Sequence, residues 1–275
     1  MPGELYVVGT PIGNLGDFSP RAVETLRTVD FIAAEDTRVS VKLLNYFDIK
    51  NKLIAYHEHN RAEKGPSIVE RILSGESCAL VTDAGMPAIS DPGQDLVRLC
   101  HESGIKVNTV PGPSAIITAL ALSGLEVSRF TFEGFLTGNK PKRREHLEEI
   151  KTERKTMVFY EAPHKLAATL HDLYTALGDR KIALIKELTK IHENIEFGTL
   201  GEFDGKYDGV KLKGEYVIII EAKSEEELAS EAEEIDPVEL ARTYIEEGLS
   251  INEAAKKAAK ETNTKKSNIY RELTK

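Results

Sequence analysis

Hydrophobic positions along the first half of the chain fall into short continuous runs separated by stretches with helical spacing. Residues 5–8, 31–34, 53–56, 79–81 and 106–110 read as strands. Runs this short and this apolar suit strands buried on both faces. Between them the spacing predicts helices over about 20–28, 39–47, 67–73, 95–103 and 114–122, the first announced by Ser19 as N-cap with Pro20 behind it. Strands alternating with helices at this interval mean βα units and a mainly parallel sheet. The chain is organised around residues 79–93, where a buried strand stops at Asp83 in a loop rich in Gly and Pro. Asp91 followed by Pro92 reads as the N-cap and first position of the next helix. In an open α/β sheet ligands bind in the crevice at the carboxyl ends of the strands.

Past Ser123-Gly124 the pattern changes. Strands are predicted over 130–135, 156–160, 182–185, about 195–197 and 216–220, with helices over about 143–153 and 166–177. Three short helices close the chain. Asp236-Pro237-Val238-Glu239 and Ser250-Ile251-Asn252-Glu253 read as capping boxes, and Thr264 as the cap of a last helix ending at Leu273. The expected organisation is an α/β domain over 1–123, a second over 124–222, an acidic linker over 223–235 and a helical tail over 236–275. The tail reads either as a helix-turn-helix-like module or as a small solvated bundle.

Composition narrows the function classes. With 275 residues, 41% of them hydrophobic, the chain can bury two cores. No apolar run reaches the roughly eighteen residues of a membrane span, and Met1-Pro2-Gly3-Glu4 lacks a signal-peptide pattern, so a cytoplasmic protein is expected. Cys78 and Cys100 have no paired spacing and read as core thiols. The net charge of −9 argues against a generic nucleic-acid binder. That sum conceals local patches: 221–234 holds seven acids and one Lys, whereas 256–275 holds seven basic residues and two acids.

Neither a Gly-x-Gly-x-x-Gly loop nor a phosphate loop ending in Gly-Lys-Ser or Gly-Lys-Thr is present. His57-Glu58-His59 has no third metal ligand in view and reads as a polar loop edge. What stands out is a set of strand ends carrying carboxylates: Glu35, Asp36, Asp83, Asp91 and Glu161. Turn formation alone accounts for the Gly and Pro there, but a carboxylate is costly to desolvate unless something uses it.

These strand ends resemble a family. Residues 5–15 (LYVVGTPIGNL), 34–38 (AEDTR), 82–93 (TDAGMPAISDPG), 111–115 (PGPSA), 159–165 (FYEAPHK), 186–190 (KELTK) and 213–216 (KGEY) are similar to the signature blocks of the 16S rRNA (cytidine-2′-O-) methyltransferases of the tetrapyrrole methylase superfamily. The likeness covers residues 4–222. It implies two αβα domains with S-adenosylmethionine in the cleft between them, plus the small C-terminal helical module. It also implies methyl transfer to a cytidine ribose of 16S rRNA in the decoding region of the small ribosomal subunit, no metal, no membrane and a homodimer. Corrin and porphyrin methylases of the superfamily carry Gly-x-Gly-Pro-Gly in the first loop, where this chain has Gly9-Thr10-Pro11-Ile12-Gly13. A tetrapyrrole- or protein-directed methylase and a non-catalytic RNA-binding assembly factor are the alternatives.

By this resemblance Pro11, Asp83, Met86, Ser114, Ala115, Tyr160 and Gly214 are expected to contact the cofactor. A ribose hydroxyl is a poor nucleophile, so a neighbouring acceptor should help. The candidates are Glu35, Asp36, Asp91, Glu161, His164, Lys186 and Glu187, with Glu161, Glu187 and Lys186 placed nearest the chemistry. Arg38, Lys140, Lys142, Arg143 and Arg144, with Lys265, Lys266 and Arg271 of the tail, could contact RNA phosphates.

Overall fold

Continuous apolar runs become strands buried on both faces, as parallel packing requires. In the computed structural model, which describes residues 2–223, 236–262 and 264–274, β1 (Leu5–Val8), β2 (Phe31–Ala34), β3 (Leu53–Ala55), β4 (Cys78–Val81) and β5 (Val107–Val110) form one all-parallel sheet in the order β3-β2-β4-β1-β5. Side chains of β2 alternate between two cores. Phe31 and Ala33 pack with Ile68, Ile72, Leu96 and Cys100 of α3 (Arg61–Leu73) and α4 (Gln94–Glu102). Ile32 and Ala34 pack with Ala22 and Leu26 of α1 (Pro20–Thr28) and Leu44 of α2 (Thr37–Tyr46). Each large aliphatic side chain so buried contributes about 1.5–3 kcal/mol. Cys78 and Cys100 lie in the first of these layers, fully buried and unbridged.

The second sheet is mixed. β6 (Phe130–Phe135), β7 (Thr156–Glu161), β8 (Lys181–Lys186), β9 (Asn194–Thr199) and β10 (Tyr216–Ile220) run in the order β6-β7-β10-β8-β9, and only β6 and β7 are parallel. One face is covered by α7 (Leu166–Leu177), the other by α5 (Ala115–Ser123) through Ile116, Ala119 and Leu120. The helix that follows the last parallel strand is thus core for the second sheet, and both sheets lie in one unit, Met1–Glu221.

Four helix starts differ from expectation. α3 begins at Arg61, ahead of Gly65 and Pro66. Pro66 forfeits a helical hydrogen bond, but Gly65, Ile68, Val69 and Ile72 are buried, and a Cβ on Gly65 would lie 3.1 Å from Leu99, so tertiary packing on α4 overrides the breaker signal. Asp91 does not cap α4; Gly93, at φ +143°, is the N-cap residue. α6 (Lys140–Ile150) starts earlier than its charged pattern suggests, because Asn139 caps it by accepting from Lys142 N. In the second unit, Ala222–Lys275, the last helix (Lys266–Leu273) has Lys265 at its N-cap, and the Thr264 hydroxyl donates backwards to Thr262 O.

The second unit otherwise follows its punctuation. Ser250 and Glu253 form the reciprocal box at the start of helix Ile251–Glu261, and Asp236 caps helix Pro237–Glu246 by accepting from Val238 N. Its small core holds Ala241, Tyr244, Ala254, Ala255, Ala258 and Ile269. Lys257 stands 3.7 Å over the Tyr244 ring, whose hydroxyl donates to Glu261. The expected acidic linker lies, from residue 224 to 235, outside the described residues.

Candidate functional site

The carboxyl ends of β1 and β4 are neighbours at the point where strand order reverses, the position at which open sheets bind ligands. Their loops are tied together by a backbone pair: Thr10 N donates to Gly85 O at 2.9 Å and Gly85 N to Thr10 O at 3.1 Å. Gly85 adopts φ +83°, which suits glycine. The loop after β5 packs on the same point. A Cβ on Gly9 would lie 2.7 Å from Gly112 Cα and from Met86 Sδ, so two facing glycines set the closeness of the backbones.

Over these loops lies a cavity of about 410 Å³ whose lining comes from both sheets. Ile12, Met86 and Ile89 arrive from the loops after β1 and β4, and Ser114, Ala115 and Ile116 from the start of α5. Phe135, Tyr160, Glu161 and Val217 arrive from β6, β7 and β10. The walls are mainly apolar, and three carboxylates reach the lining: Asp91, Glu161 and Glu215.

Each carboxylate is held differently. Glu161 is buried; its Oε1 accepts from Ala162 N at 2.7 Å and its Oε2 from the Thr169 hydroxyl at 2.5 Å. Arg143 donates in turn to Thr169 Oγ1 at 2.9 Å and to Asp172 at 2.6 Å, which fixes Thr169 as the donor to Glu161. Asp91 has its pKa raised, first by burial and then by the charge of Glu35, with the Thr82 hydroxyl opposing. Tyr160, beside Phe132 and Phe135, is pushed up to about 12 by burial and by the charge of Asp91.

Of the residues expected at the cofactor, Met86, Ser114, Ala115 and Tyr160 come together in this cavity. Pro11 and Asp83 line a separate crevice beside it. Gly214, at φ +94°, lies against the Glu187 side chain, whose Cγ, Cδ and Oε1 a Cβ would meet at 2.7–2.9 Å, and it is the next residue, Glu215, that reaches the cavity. Among the catalytic candidates Glu161 lines the cavity. Lys186 ends β8 outside the lining. Glu187, at φ +52°, accepts from Lys190 Nζ at 2.9 Å and Glu215 N at 3.0 Å, and Lys190 holds its pKa below the usual range. Asp91, read from sequence as a cap, faces the cavity instead, because the chain needs two more residues and a positive-φ glycine before α4 can start. Ile12, Ile89, Leu188 and Phe135 were missed; as isolated apolar residues in loops and at a strand end they carry no periodic signal.

The expected RNA contacts divide as well. Lys142 and Arg144 are exposed on α6, whereas Arg143 is committed to Thr169 and Asp172. Lys140, Arg144, Lys151 and Lys165 border a groove between α6 and α7. Arg38 is 85% exposed, with Asp36 holding its guanidinium at 2.6 Å. Lys265, Lys266 and Arg271 are exposed in the second unit. Among the described residues no group of three or more His, Cys, Asp or Glu could hold a metal ion, and no helix is long and apolar enough to cross a membrane. His57 and His59 stand with ring centroids 6.0 Å apart on a loop, where Asn60 Oδ1 accepts from His57 N.

Comparison with known proteins settles the lineage of this arrangement. The family described as Tetrapyrrole (Corrin/Porphyrin) Methylases matches residues 4–204. The chain belongs to the tetrapyrrole methylase family. Within that family it is 45% identical over 270 residues to the ribosomal RNA small subunit methyltransferase I of Halalkalibacterium halodurans, covering 98% of this chain and 93% of that protein. It is 42% identical over 271 residues to the protein of the same name from Bacillus subtilis (strain 168), with coverages of 98% and 93%. Solved structures share the fold at low identity. The uroporphyrin-III-C-methyltransferase of Thermus thermophilus matches with a TM-score of 0.56 and 16% identity over 80% of this chain and 94% of that one. A diphthine synthase matches with a TM-score of 0.62 and 15% identity over 80% and 90%.

Proposed function

We propose that this chain is an S-adenosylmethionine-dependent methyltransferase of small-subunit ribosomal RNA, acting on the 2′-hydroxyl of a cytidine ribose in 16S rRNA. The observation that carries the cofactor reading is the cavity itself, where Met86, Ser114, Ala115 and Tyr160 meet over the paired loops at Thr10 and Gly85; Asp91 in its lining is raised by burial and by the charge of Glu35, a setting that suits a cationic ligand. The residues present fit S-adenosylmethionine. Apolar walls suit an adenosine, the α5 start offers backbone N–H groups to a carboxylate, and the close Gly9–Gly112 approach holds the loops after β1 and β5 together beneath the cavity. The substrate reading rests on full-length likeness to relatives that carry the ribosomal RNA name.

The chemistry S-adenosylmethionine supplies when bound is an electrophilic methyl group on a sulfonium. The protein's task is to hold the ribose oxygen in line with that methyl and to exclude water. Met86, Ser114, Ala115 and Tyr160 bind the cofactor in this reading. Glu161 accepts the proton of the 2′-hydroxyl or orients it, and the Arg143–Thr169 link holds the carboxylate in place. Glu187 positions the 187–190 loop through Lys190 and Glu215. Exposed Lys and Arg on α6 and in the second unit meet phosphates of the small-subunit RNA in this reading. A homodimer is supported by the edge strand β9, which exposes Phe197 beside Gly124 and Leu125 at the end of α5.

Labelled S-adenosylmethionine with unmodified small subunits, followed by ribose mapping, tests this. Label at a cytidine 2′-oxygen is expected; label on protein or on an added tetrapyrrole, or none, overturns it.

A further inference from the structure

β6 and β7 are parallel, so the helices that follow them, α6 and α7, both start at the strand ends that line the cavity. Between these helices lies a groove of about 580 Å³. Both of its walls are continuous with the cavity. Phe135 lines the cavity and Gly138 and Lys140 the groove; Pro163 lines the cavity and Lys165 the groove. A chain covers at most about 3.6 Å per residue, so the step from Pro163 to Lys165 is no more than about 7 Å. The groove therefore opens at the rim of the cavity.

The charges in this groove do not balance. Lys140, Arg144, Leu147 and Lys151 recur at helical spacing, one stripe of α6 turned toward α7, while Lys142 lies outside the lining. Two acids share the lining, and both are occupied: Glu148 by Lys151 at 2.7 Å and Asp172 by Arg143 at 2.6 Å. Lys140, Arg144 and Lys165 have no ion-pair partner among the described residues. Helix stability does not account for them. A helix start carries partial positive charge, so Lys140 in the first turn of α6 and Lys165 at the N-cap of α7 are unfavourable there, and neither helix has an acid in its first turn to offset them. An anionic partner supplies the balance.

The layout of the cations points to the kind of anion. Lys140 and Arg144 are separated by about 6 Å along the helix axis, and Lys165 stands on the opposite wall. Donors converging on one point hold a small anion, whereas cations strung along a groove follow a polyanionic backbone. Arg143, in the same lining, is committed to Asp172 and to Thr169, whose hydroxyl donates to Glu161 in the cavity.

We propose that the α6–α7 groove holds the RNA backbone next to the target ribose, with Lys140, Arg144 and Lys165 on neighbouring phosphates. Contacts of this kind set position and register without reading sequence. The wall that grips the strand also carries Arg143, so the placement of the RNA and that of the Glu161 carboxylate are fixed by one piece of structure. The inference rests on the RNA methyltransferase reading above and adds to it the path of the substrate strand.

The test uses the full-length protein and small subunits. Lys140→Gln, Arg144→Gln and Lys165→Gln combined are expected to weaken subunit binding at least tenfold and to flatten its log–log salt dependence by about 0.7 unit of slope for each phosphate released. The S-adenosylmethionine Kd, measured by calorimetry, is expected to stay within twofold. A control lacking the same number of charges, Lys50→Gln, Arg154→Gln and Lys211→Gln, removes exposed cations outside the groove and is expected to lose less than threefold. Equal losses in the two proteins, or none in the groove variant, overturn the inference. A second measurement needs no turnover. Neutral methylphosphonates beside the target nucleotide, in reconstituted subunits, are expected to weaken binding of the wild-type protein and not of the groove variant; equal weakening of both overturns the inference. Wild-type protein that binds S-adenosylmethionine but no small subunit refutes the functional reading itself, and this inference with it.

Discussion

Two groups of acids in the chain are in opposite electrostatic condition. At the ends of the parallel strands Asp83 and Asp91 are raised by burial and by the charge of Glu35. In the loop after β8 Glu187 is lowered by Lys190, which also binds Glu215. Acids of the second kind are satisfied by the fold and contribute to it, whereas those of the first kind cost stability until a ligand supplies what the fold withholds. The contrast teaches which carboxylates to associate with binding; position separates Glu161, which lines the cavity, from Glu187, which is held by Lys190 outside it, two residues that the sequence alone sets side by side.

The largest expected effect is on turnover. Glu161→Gln should lower single-turnover methyl transfer by about 100-fold or more, within the usual range for a positioned acid or base, while Glu187→Gln should lower it less than tenfold and reduce the melting temperature instead. The reverse ranking would erase the distinction. Next is the junction of the loops after β1, β4 and β5. Gly9→Ala puts a Cβ 2.7 Å from Gly112 and Met86 and should cost about 1–3 kcal/mol of stability, with at least tenfold weaker S-adenosylmethionine binding by calorimetry.

A smaller effect tests the electrostatics directly through pH. An acid whose pKa is raised by folding penalises the folded state as pH climbs through its titration. Asp91→Asn should therefore raise the melting temperature at pH 7, and the gain should vanish as pH falls below about 4, near the ordinary Asp value. Glu187 has the opposite sign: its contribution is present above pH 4.5 and is lost as pH falls through its lowered pKa, so the deficit of Glu187→Gln should shrink below pH 4.5. Thermal melts from about pH 3 to 7 would break the comparison if both variants shifted the same way. The smallest effect is expected from deleting 236–275, which should leave cofactor affinity intact and flatten the salt dependence of subunit binding by about one unit of slope for every phosphate the tail neutralises.

Much of the fold was legible because burial on both faces writes itself into strands such as 31–34 and 79–81, and caps such as Ser19 and Ser250 act locally. What escaped depends on contacts between distant segments. The start of α3 is decided by Gly65 packing on Leu99, and the core role of α5 by a sheet that had not yet appeared in the chain. At the site, the loops were identifiable but the sides of their residues were not. Pro11 and Asp83 belong to the right loops yet line the crevice, while Ile12 and Met86 line the cavity, because backbone pairing at Thr10 and Gly85 fixes which way each side chain turns. Asp91 reads as a cap because Asp-Pro usually is one, and only the positive φ of Gly93 moves the helix start past it.

The two cysteines have a practical consequence. Both sit in the single layer between the parallel sheet and the helices α3 and α4, and burial pushes the Cys100 thiol up to about 11 and that of Cys78 higher still. A thiol so placed is inert to alkylation until its layer opens. Because the 275 residues contain no other cysteine, the labelling rate of the unmodified chain reports the opening of that one layer, with the second sheet and the tail silent in the measurement. Ligands that close the strand ends would then register as slower labelling some distance from where they bind.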